Sequence, residues 1–358
     1  LIAGGGTGGH VIPALAIARE LRDAHGAEVR FVGTARGLET RLVPEAGFPL
    51  ATIHVGQLKS VSLATKARTL ADLPLGVLRC IRLLRSYRPQ AVVGVGGYAS
   101  GPAMLAAVLL HIPTLAFEPN AAPGLANRLA GRFVTAAAVN FEETRAYFRN
   151  ARVTGIPVRA EFFAIAAKTA ATPKKLLVFG GSQGARVLNR IMPQILFPLL
   201  RDTPGLMVLH QSGTRAEAET RQAYLDTGAD EGRWQVSAYL DDMPARFAEA
   251  DLILCRSGAS TMAELAAAGK PALLVPFAAA TDDHQRRNAE VFVAAGAAKM
   301  LLESELAAER LLVTLRELLF APAALQAMGE NARPLAHPDA VETIGRMVRE
   351  MAGAKKDG

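Results

Sequence analysis

Short apolar runs, many of them β-branched, alternate with longer stretches of helical period along almost the whole chain. That alternation predicts parallel strands joined by helices. In the first half the runs place strands near 1–3, 28–32, 51–55, 91–95, 113–117, 133–137 and 151–154, with helices most evident over 13–24 and 75–85. The second half repeats the plan near 175–179, 207–210, 234–237, 252–255, 272–275 and 298–301. The expected fold is α/β, with two doubly wound, Rossmann-like domains. An Ala-rich stretch at 156–173, flanked by Pro157 and Pro173, lacks strand periodicity and marks the seam. The expected domains are therefore 1–158 and 159–337, followed by a terminal helix over 338–358 that packs back towards the first. In open α/β sheets ligands bind outside the carboxyl ends of the strands, so two such domains facing across a cleft would hold one substrate from both sides.

Glycines cluster where strands are expected to end. Gly4-Gly5-Gly6-Thr7-Gly8-Gly9-His10 follows the first strand and opens a helix, Gly94 to Gly101 follows another, and Gly180-Gly181-Ser182-Gln183-Gly184-Ala185-Arg186 opens the second half. Glycines allow close backbone approach, and a helix start offers unpaired N–H groups to an anion, so three such loops point to phosphate-bearing ligands. Tight turns alone are the plain alternative for any one of them. None ends in Gly-Lys-Ser/Thr, which excludes a Walker A loop. Gly4, Gly6 and Gly9 fit a dinucleotide fingerprint, but the second strand ends Phe31-Val32-Gly33-Thr34, without the acid that would hold ribose. A dehydrogenase is thereby disfavoured.

Arg256 to Glu264 forms a fourth loop running into a helix, with Ser257, Ser260 and Thr261 near its start. Its N–H groups suit phosphate or uracil, and Glu264 can accept from a ribose diol; a Ser/Thr cap is the ordinary alternative. Asp282-Asp283-His284-Gln285 precedes another helix. There the two acids are expected to cap the helix rather than bind metal.

Composition narrows the class. The 358 residues are 50% apolar and 20% charged, enough for two packed cores and too apolar for disorder. Two cysteines, Cys80 and Cys255, exclude a disulfide framework and suit a reducing compartment. The start of the chain has neither a charged nor an apolar signal region, and Leu1 in place of Met predicts that a few residues precede it. The longest apolar stretch, 102–117, is broken by His111 and Pro113 and is too short for about 30 Å of hydrocarbon. The net charge of +7 divides unevenly: residues 1–159 carry 18 basic and 9 acidic groups. Between 59 and 88 stand Lys59, Lys66, Arg68, Arg79, Arg82, Arg85 and Arg88 against one acid, Asp72, interleaved with leucines. An apolar stripe flanked by cations suits an anionic membrane surface, and an amphipathic helix packed on its sheet is the alternative. Aromatics, at 6%, do not interleave with the cations, which ranks nucleic-acid binding last.

Together these motifs resemble the MurG family of GT-B glycosyltransferases. The residues carrying the likeness are 4–10, Gly96-Gly97-Tyr98, Glu118, Asn120 with Pro123-Gly124-Leu125, Pro157-Val158-Arg159, 180–186, Gln211-Ser212-Gly213 and 256–264. The resemblance implies an inverting transfer of N-acetylglucosamine (GlcNAc) from UDP-GlcNAc to undecaprenyl-diphosphate-linked N-acetylmuramoyl pentapeptide, lipid I to lipid II. No cofactor or metal is implied, and no Asp-x-Asp motif appears.

The resemblance also assigns residues. In the second half, Ser182 would meet the diphosphate and Leu240 the uracil. Ala259, Ser260, Thr261, Met262 and Ala263 would line the nucleotide, Glu264 would bind ribose, and His284 and Gln285 the sugar. From the first half Thr7, Gly8, Gly9, Asn120 and Arg159 would complete the donor site, while His10, Tyr98, Glu118 and Asn120 would face the acceptor. His10 is the candidate base and Glu118 its rival; a loop-orienting role for His10 is the plain alternative. The implied location is peripheral, on the cytoplasmic face of the cell membrane, with other cell-wall enzymes as candidate partners. Two departures, Phe117-Glu118-Pro119-Asn120 and Gly155-Ile156-Pro157-Val158-Arg159, flank polar groups that are kept. Another GT-B glycolipid synthase and a non-catalytic nucleotide-sugar binder are the alternatives.

Overall fold

The apolar runs become the strands of two all-parallel sheets in the computed structural model. It describes residues 1–35, 37–53, 63–97, 99–168, 175–181 and 183–353, with backbone only for 63–73 and Thr281. Tyr98, Ser182, Lys59 and the side chains of Lys66, Arg68 and Asp72 lie outside the described residues.

The chain divides into two units, 1–157 with 339–358, and 158–338. In the first, β1 (Ile2–Ala3), β2 (Phe31–Thr34), β3 (Leu50–Ile53), β4 (Val92–Gly94), β5 (Thr114–Glu118), β6 (Ala136–Val139) and β7 (Ala151–Val153) lie in the order β3-β2-β1-β4-β5-β6-β7. In the second, β8 (Lys175–Phe179), β9 (Met207–Gln211), β10 (Trp234–Ser237), β11 (Leu252–Cys255), β12 (Ala272–Leu274) and β13 (Ala298–Met300) lie in the order β10-β9-β8-β11-β12-β13. Every pairing is parallel, with interleaved helices, so each unit is doubly wound as the sequence predicts.

Sheet order decides where chemistry can sit. Strand order reverses between β1 and β4 in the first unit and between β8 and β11 in the second, and a crevice opens at the carboxyl ends of such a pair. The four loops singled out in the sequence follow these four strands.

The helices are amphipathic in the expected sense. Arg186–Asp202 buries Leu188, Met192, Ile195, Leu196 and Leu199, one stripe at helical spacing, against its sheet. Leu63–Tyr87 turns Val77, Cys80 and Leu84 into the first core, while Leu75, Leu78, Arg79 and Arg82 stay exposed. The helix Ala340–Gly353 returns to the first unit and packs on Gly8–Asp23, with Gly345 against Glu20 and His25. Residues 158–168 belong with the second unit, where Phe162 stacks edge-on to Phe247 at 5.1 Å. Both cysteines are buried and unpaired, and burial pushes the Cys80 thiol up to about 11.

Candidate active site

In the first unit the glycines of two loops touch each other. Gly5 N–H donates to the Gly96 carbonyl at 3.3 Å, and a Cβ on Gly97 would strike the Gly5 carbonyl. Much of the glycine content therefore serves close backbone packing. The first loop runs straight into the helix Gly8–Asp23, whose N-cap Thr7 makes no side-chain cap bond.

His10 stands on the first turn of that helix. Its Nδ1 lies 3.2 Å from Thr7 Oγ1, and a Cβ on Gly96 would come within 2.9 Å of its Nε2. The imidazole is half-buried and spans both loops. Thr7, Gly8, Gly9 and His10 are thus gathered at the β1/β4 switch point, where a reacting group is expected.

Glu118 ends β5 and is 2% exposed. One oxygen accepts from Asn120 N–H and Asn120 Nδ2 at 3.1 Å each; the other accepts from Gly124 N–H at 3.0 Å and Asn127 Nδ2 at 2.9 Å. Burial pushes this carboxyl above its ordinary range, against the pull of those four donors. A carboxylate has about four acceptor sites, and here all four are taken. Held in this way, Glu118 clamps the 119–124 loop and presents Asn120, which weighs against its use as the rival base. Phe117, at the first departure from the family pattern, is 0% exposed and belongs to the core.

In the second unit the same logic recurs. A Cβ on Gly184 would strike the Ser212 carbonyl, and one on Gly213 the Gln183 carbonyl. Asn189 Nδ2 also donates to Ser212 O at 2.9 Å. The Gln211-Ser212-Gly213 motif is the bed on which the third glycine loop lies.

Beside it, the helix Ala259–Ala268 starts from Gly258 with no side-chain cap, contrary to the alternative of a Ser/Thr cap. Its first N–H groups face the β8/β11 crevice. Ser260, Thr261 and Ala263 are half-buried there, and Ala259 is nearly covered. Met262 differs from its neighbours: its side chain is 0% exposed and its N–H donates to Gly258 O, which weighs against contact with a ligand.

Glu264 lies one turn in, and burial pushes its carboxyl up to about 7 while the Arg159 charge pulls it down. Arg159 therefore acts within the second unit rather than from the first half, and its guanidinium lies over Phe162 at 5.2 Å. No described residue donates a hydrogen bond to the Glu264 carboxylate. Leu240 is half-buried after β10, beside the exposed Tyr239.

The 276–285 loop is tied down by two residues. Arg256, 8% exposed, donates to Val275 O at 3.0 Å and Pro276 O at 3.2 Å, pairs with Glu303, and lies over Phe277. One side chain thereby joins the ends of β11, β12 and β13. Gln285 Oε1 accepts from Phe277 N–H at 3.0 Å, and Ser257 Oγ donates to the Gln285 carbonyl at 2.7 Å. His284 begins the helix His284–Ala294, half-buried. Asp283 does not cap with its side chain as expected: it holds the cap position on left-handed backbone without a side-chain cap bond, and it pairs with Arg286 at 3.8 Å.

Sequence reasoning missed Glu39, Asn127, Asn288 and Glu303. Glu39 accepts from the first glycine loop, and Asn288 Nδ2 donates to Ser257 O at 3.1 Å. The one available signal was Glu39's place two residues after Gly37, at the start of a short helix.

Two family models match the chain: the glycosyltransferase family 28 N-terminal domain over residues 1–139 and the C-terminal domain over 175–344. A Solibacter usitatus protein is 46% identical over 98% of this chain and 96% of its own length. The chain belongs to glycosyltransferase family 28. That relative is named UDP-N-acetylglucosamine--N-acetylmuramyl-(pentapeptide) pyrophosphoryl-undecaprenol N-acetylglucosamine transferase, as is a Geotalea uraniireducens protein 42% identical over 99% of both chains. Among solved structures, Acinetobacter baumannii MurG superposes with a TM-score of 0.82 at 31% identity, covering 98% of each chain. Membership of family 28 places the two switch-point crevices in a glycosyltransferase.

Proposed function

We propose that the chain transfers N-acetylglucosamine from UDP-GlcNAc to the 4-hydroxyl of undecaprenyl-diphosphate-linked N-acetylmuramoyl pentapeptide, with inversion at the anomeric carbon. The printed names of its relatives support this reaction. The observation that carries the reading is chemical: each unit has a glycine loop and an uncapped helix start at its switch point, one beside His10 and the other beside Glu264.

The second unit binds the donor. Leu240 packs beside uracil, the carboxylate of Glu264 accepts from the ribose diol, and the N–H groups at Ala259 to Thr261, with Ser182, hold the diphosphate. Arg159 adds positive charge as that diphosphate leaves. His284 and Gln285 meet the sugar hydroxyls. The first unit supplies Thr7, Gly8, Gly9 and Asn120 to the donor, and His10, Tyr98 and Asn120 to the acceptor. In the tautomer with Nδ1–H donating to Thr7 Oγ1, Nε2 of His10 is an acceptor. It takes the proton of the 4-hydroxyl as the oxygen attacks the anomeric carbon and UDP departs.

The acceptor's lipid gives the exposed leucines a role. Leu75 and Leu78, Leu105 and Leu109, and Leu129 with Phe133 are exposed on or just after three helices of the first unit that pack in succession, with Arg79, Arg82, Arg128 and Arg132 exposed among them. Such a face rests on anionic headgroups while its apolar side chains enter the interface. Among the described residues no single helix is long and apolar enough to cross a membrane. In this reading the exposed leucines and arginines make the attachment, peripherally and on the cytoplasmic face.

UDP release tests the reaction, with UDP-GlcNAc or UDP-GalNAc as donor and with or without a lipid I analogue. Release is expected only from UDP-GlcNAc with the acceptor present. Equal release with diacylglycerol in place of the analogue would overturn the acceptor assignment, and none with any acceptor would leave a nucleotide-sugar binder.

A further inference from the structure

No acid stands at the end of β2, yet an acid reaches that place from the following helix. Glu39 opens Glu39–Glu45 and is 1% exposed. Its carboxylate is walled by Gly5, Gly33 and Gly37; a Cβ on any of the three would collide with the Glu39 side chain. One oxygen accepts from Gly6 N–H at 2.7 Å, and the other from Thr34 N–H and Thr34 Oγ1 at 2.9 Å each. Burial opposes the charge, but the N–H groups of Gly6 and Thr34 outweigh it and hold the carboxyl below its ordinary range. The acid is committed to the protein's own backbone.

Those bonds converge on the loop that carries the chemistry. Leu38 N–H donates to Gly6 O at 3.3 Å, so both polar groups of the Gly6 backbone are held from the 37–39 segment. Gly6 is followed by Thr7, whose carbonyl accepts from His10 N–H and Val11 N–H at 3.1 Å each and whose hydroxyl lies 3.2 Å from His10 Nδ1. A chain of fixed groups therefore runs from Glu39 through Gly6 and Thr7 to the imidazole.

We propose that Glu39 is a positioning residue for the transfer reaction: its buried carboxylate sets the first glycine loop so that Thr7 orients His10. The inference rests on the reading of His10 as base. Glutamine is the informative replacement, because its amide puts a donor where Gly6 or Thr34 already donates. Misplacing a reacting group by about 1 Å costs on the order of 100-fold in rate.

The test compares Glu39→Gln, Thr34→Val, Thr34→Ser and His10→Ala in the full chain, by steady-state kinetics and by amide hydrogen exchange over residues 4–11. Glu39→Gln is expected to lower kcat about 10- to 100-fold and to speed exchange across 4–11, with the Kd for UDP alone, placed in the second unit, changed less than about twofold. Thr34→Val, which keeps the Gly6 bond and removes only the hydroxyl, gives a smaller loss of the same kind should Glu39→Gln fail to fold. Thr34→Ser restores the wild-type values. Unchanged kcat, or unchanged exchange over 4–11, in folded Glu39→Gln overturns the proposal. The two readings fail separately: turnover kept by His10→Ala but lost in Glu39→Gln removes the base and leaves the loop clamp standing, and the converse removes the clamp alone.

Discussion

The two units hold their loops with buried ions of opposite sign, and in each unit that sign is opposite to its own net charge. The first unit has 21 basic and 13 acidic residues, a net of +8, yet Glu39 and Glu118 hold its loops by accepting N–H groups. The second carries 19 and 20, a net of −1, and uses Arg256 and Lys270 to bind carbonyls. Lys270, 3% exposed, donates to Ala248 O and Ala250 O, and burial pulls its ammonium down to about 8. Net charge belongs to the surface; loop shape is set by buried ions hydrogen-bonded to the backbone. The contrast also separates scaffold from ligand groups. Glu39 and Glu118 are spent on donors of the protein itself, whereas Glu264 has only the field of Arg159 to set against burial, which pushes it up to about 7. An acid held in that state is available to a substrate.

The largest effect should come from the reacting group. His10→Ala is expected to lower kcat about 100- to 10,000-fold with the Kd for UDP unchanged, because the proposed nucleotide site lies in the other unit. Near-normal turnover with both substrates saturating would reduce His10 to a loop residue. Glu118→Ala comes next and tests scaffold against catalyst. Removing the acceptor takes one partner from four donors, the buried Asn127 amide among them, which should cost about 3 kcal/mol of stability. Thermal or denaturant unfolding checks it. A stable Glu118→Ala protein with kcat reduced as far as in His10→Ala would return Glu118 to the role of base.

The fold was legible because most strands are short apolar runs that something interrupts. Lys175–Phe179, Trp234–Ser237 and Leu252–Cys255 begin and end where periodicity places them. The second strand is shifted from the expected 28–32 to Phe31–Thr34, since Arg30 pairs with Glu28 rather than entering the core. The first helix begins at Gly8 instead of near Pro13, because contacts to Gly96 and Glu39 order the glycines before it. The glycine loops and Glu264 were legible as motifs. Glu303 was not, since its partner Arg256 is 47 positions away and no periodicity links them. Met262 stands in sequence among the candidate ligand residues, but its side chain points into the core.

Glu264 sharpens the comparison through pH. Its carboxyl is raised from 4.5 to about 7, so the unliganded folded state binds more protons than the unfolded chain across that window. This group therefore takes stability away as pH rises from 4.5 to 7, and Glu264→Gln should flatten that part of the stability profile. Donor binding has the opposite sign. The diol donates to the charged form, so affinity for UDP-GlcNAc should weaken as pH falls below about 7 and lose that dependence in Glu264→Gln. At pH 8 the same variant should bind the donor about 10- to 100-fold more weakly, the worth of one or two charge-assisted hydrogen bonds, as calorimetry would measure. Equal binding by the two proteins at pH 8 would mean that Glu264 is scaffold too.

The smallest effect concerns the surface charge itself. Arg79 and Arg82 are exposed on the helix whose opposite face, Val77, Cys80 and Leu84, is core, so their replacement leaves packing intact. A cation held near an anionic lipid surface contributes about 1 kcal/mol, so Arg79→Gln and Arg82→Gln should each weaken binding to anionic vesicles roughly fivefold. Neither should alter binding to neutral vesicles, where the exposed leucines act alone. Arg190→Gln, which removes an exposed arginine from the second unit, is the control expected to do nothing. If all three variants lose the same affinity, attraction is spread over the whole protein and the first unit is not a membrane face. If only the first two lose it, and raising salt removes the difference, the positive excess of the first unit works where its leucines are exposed.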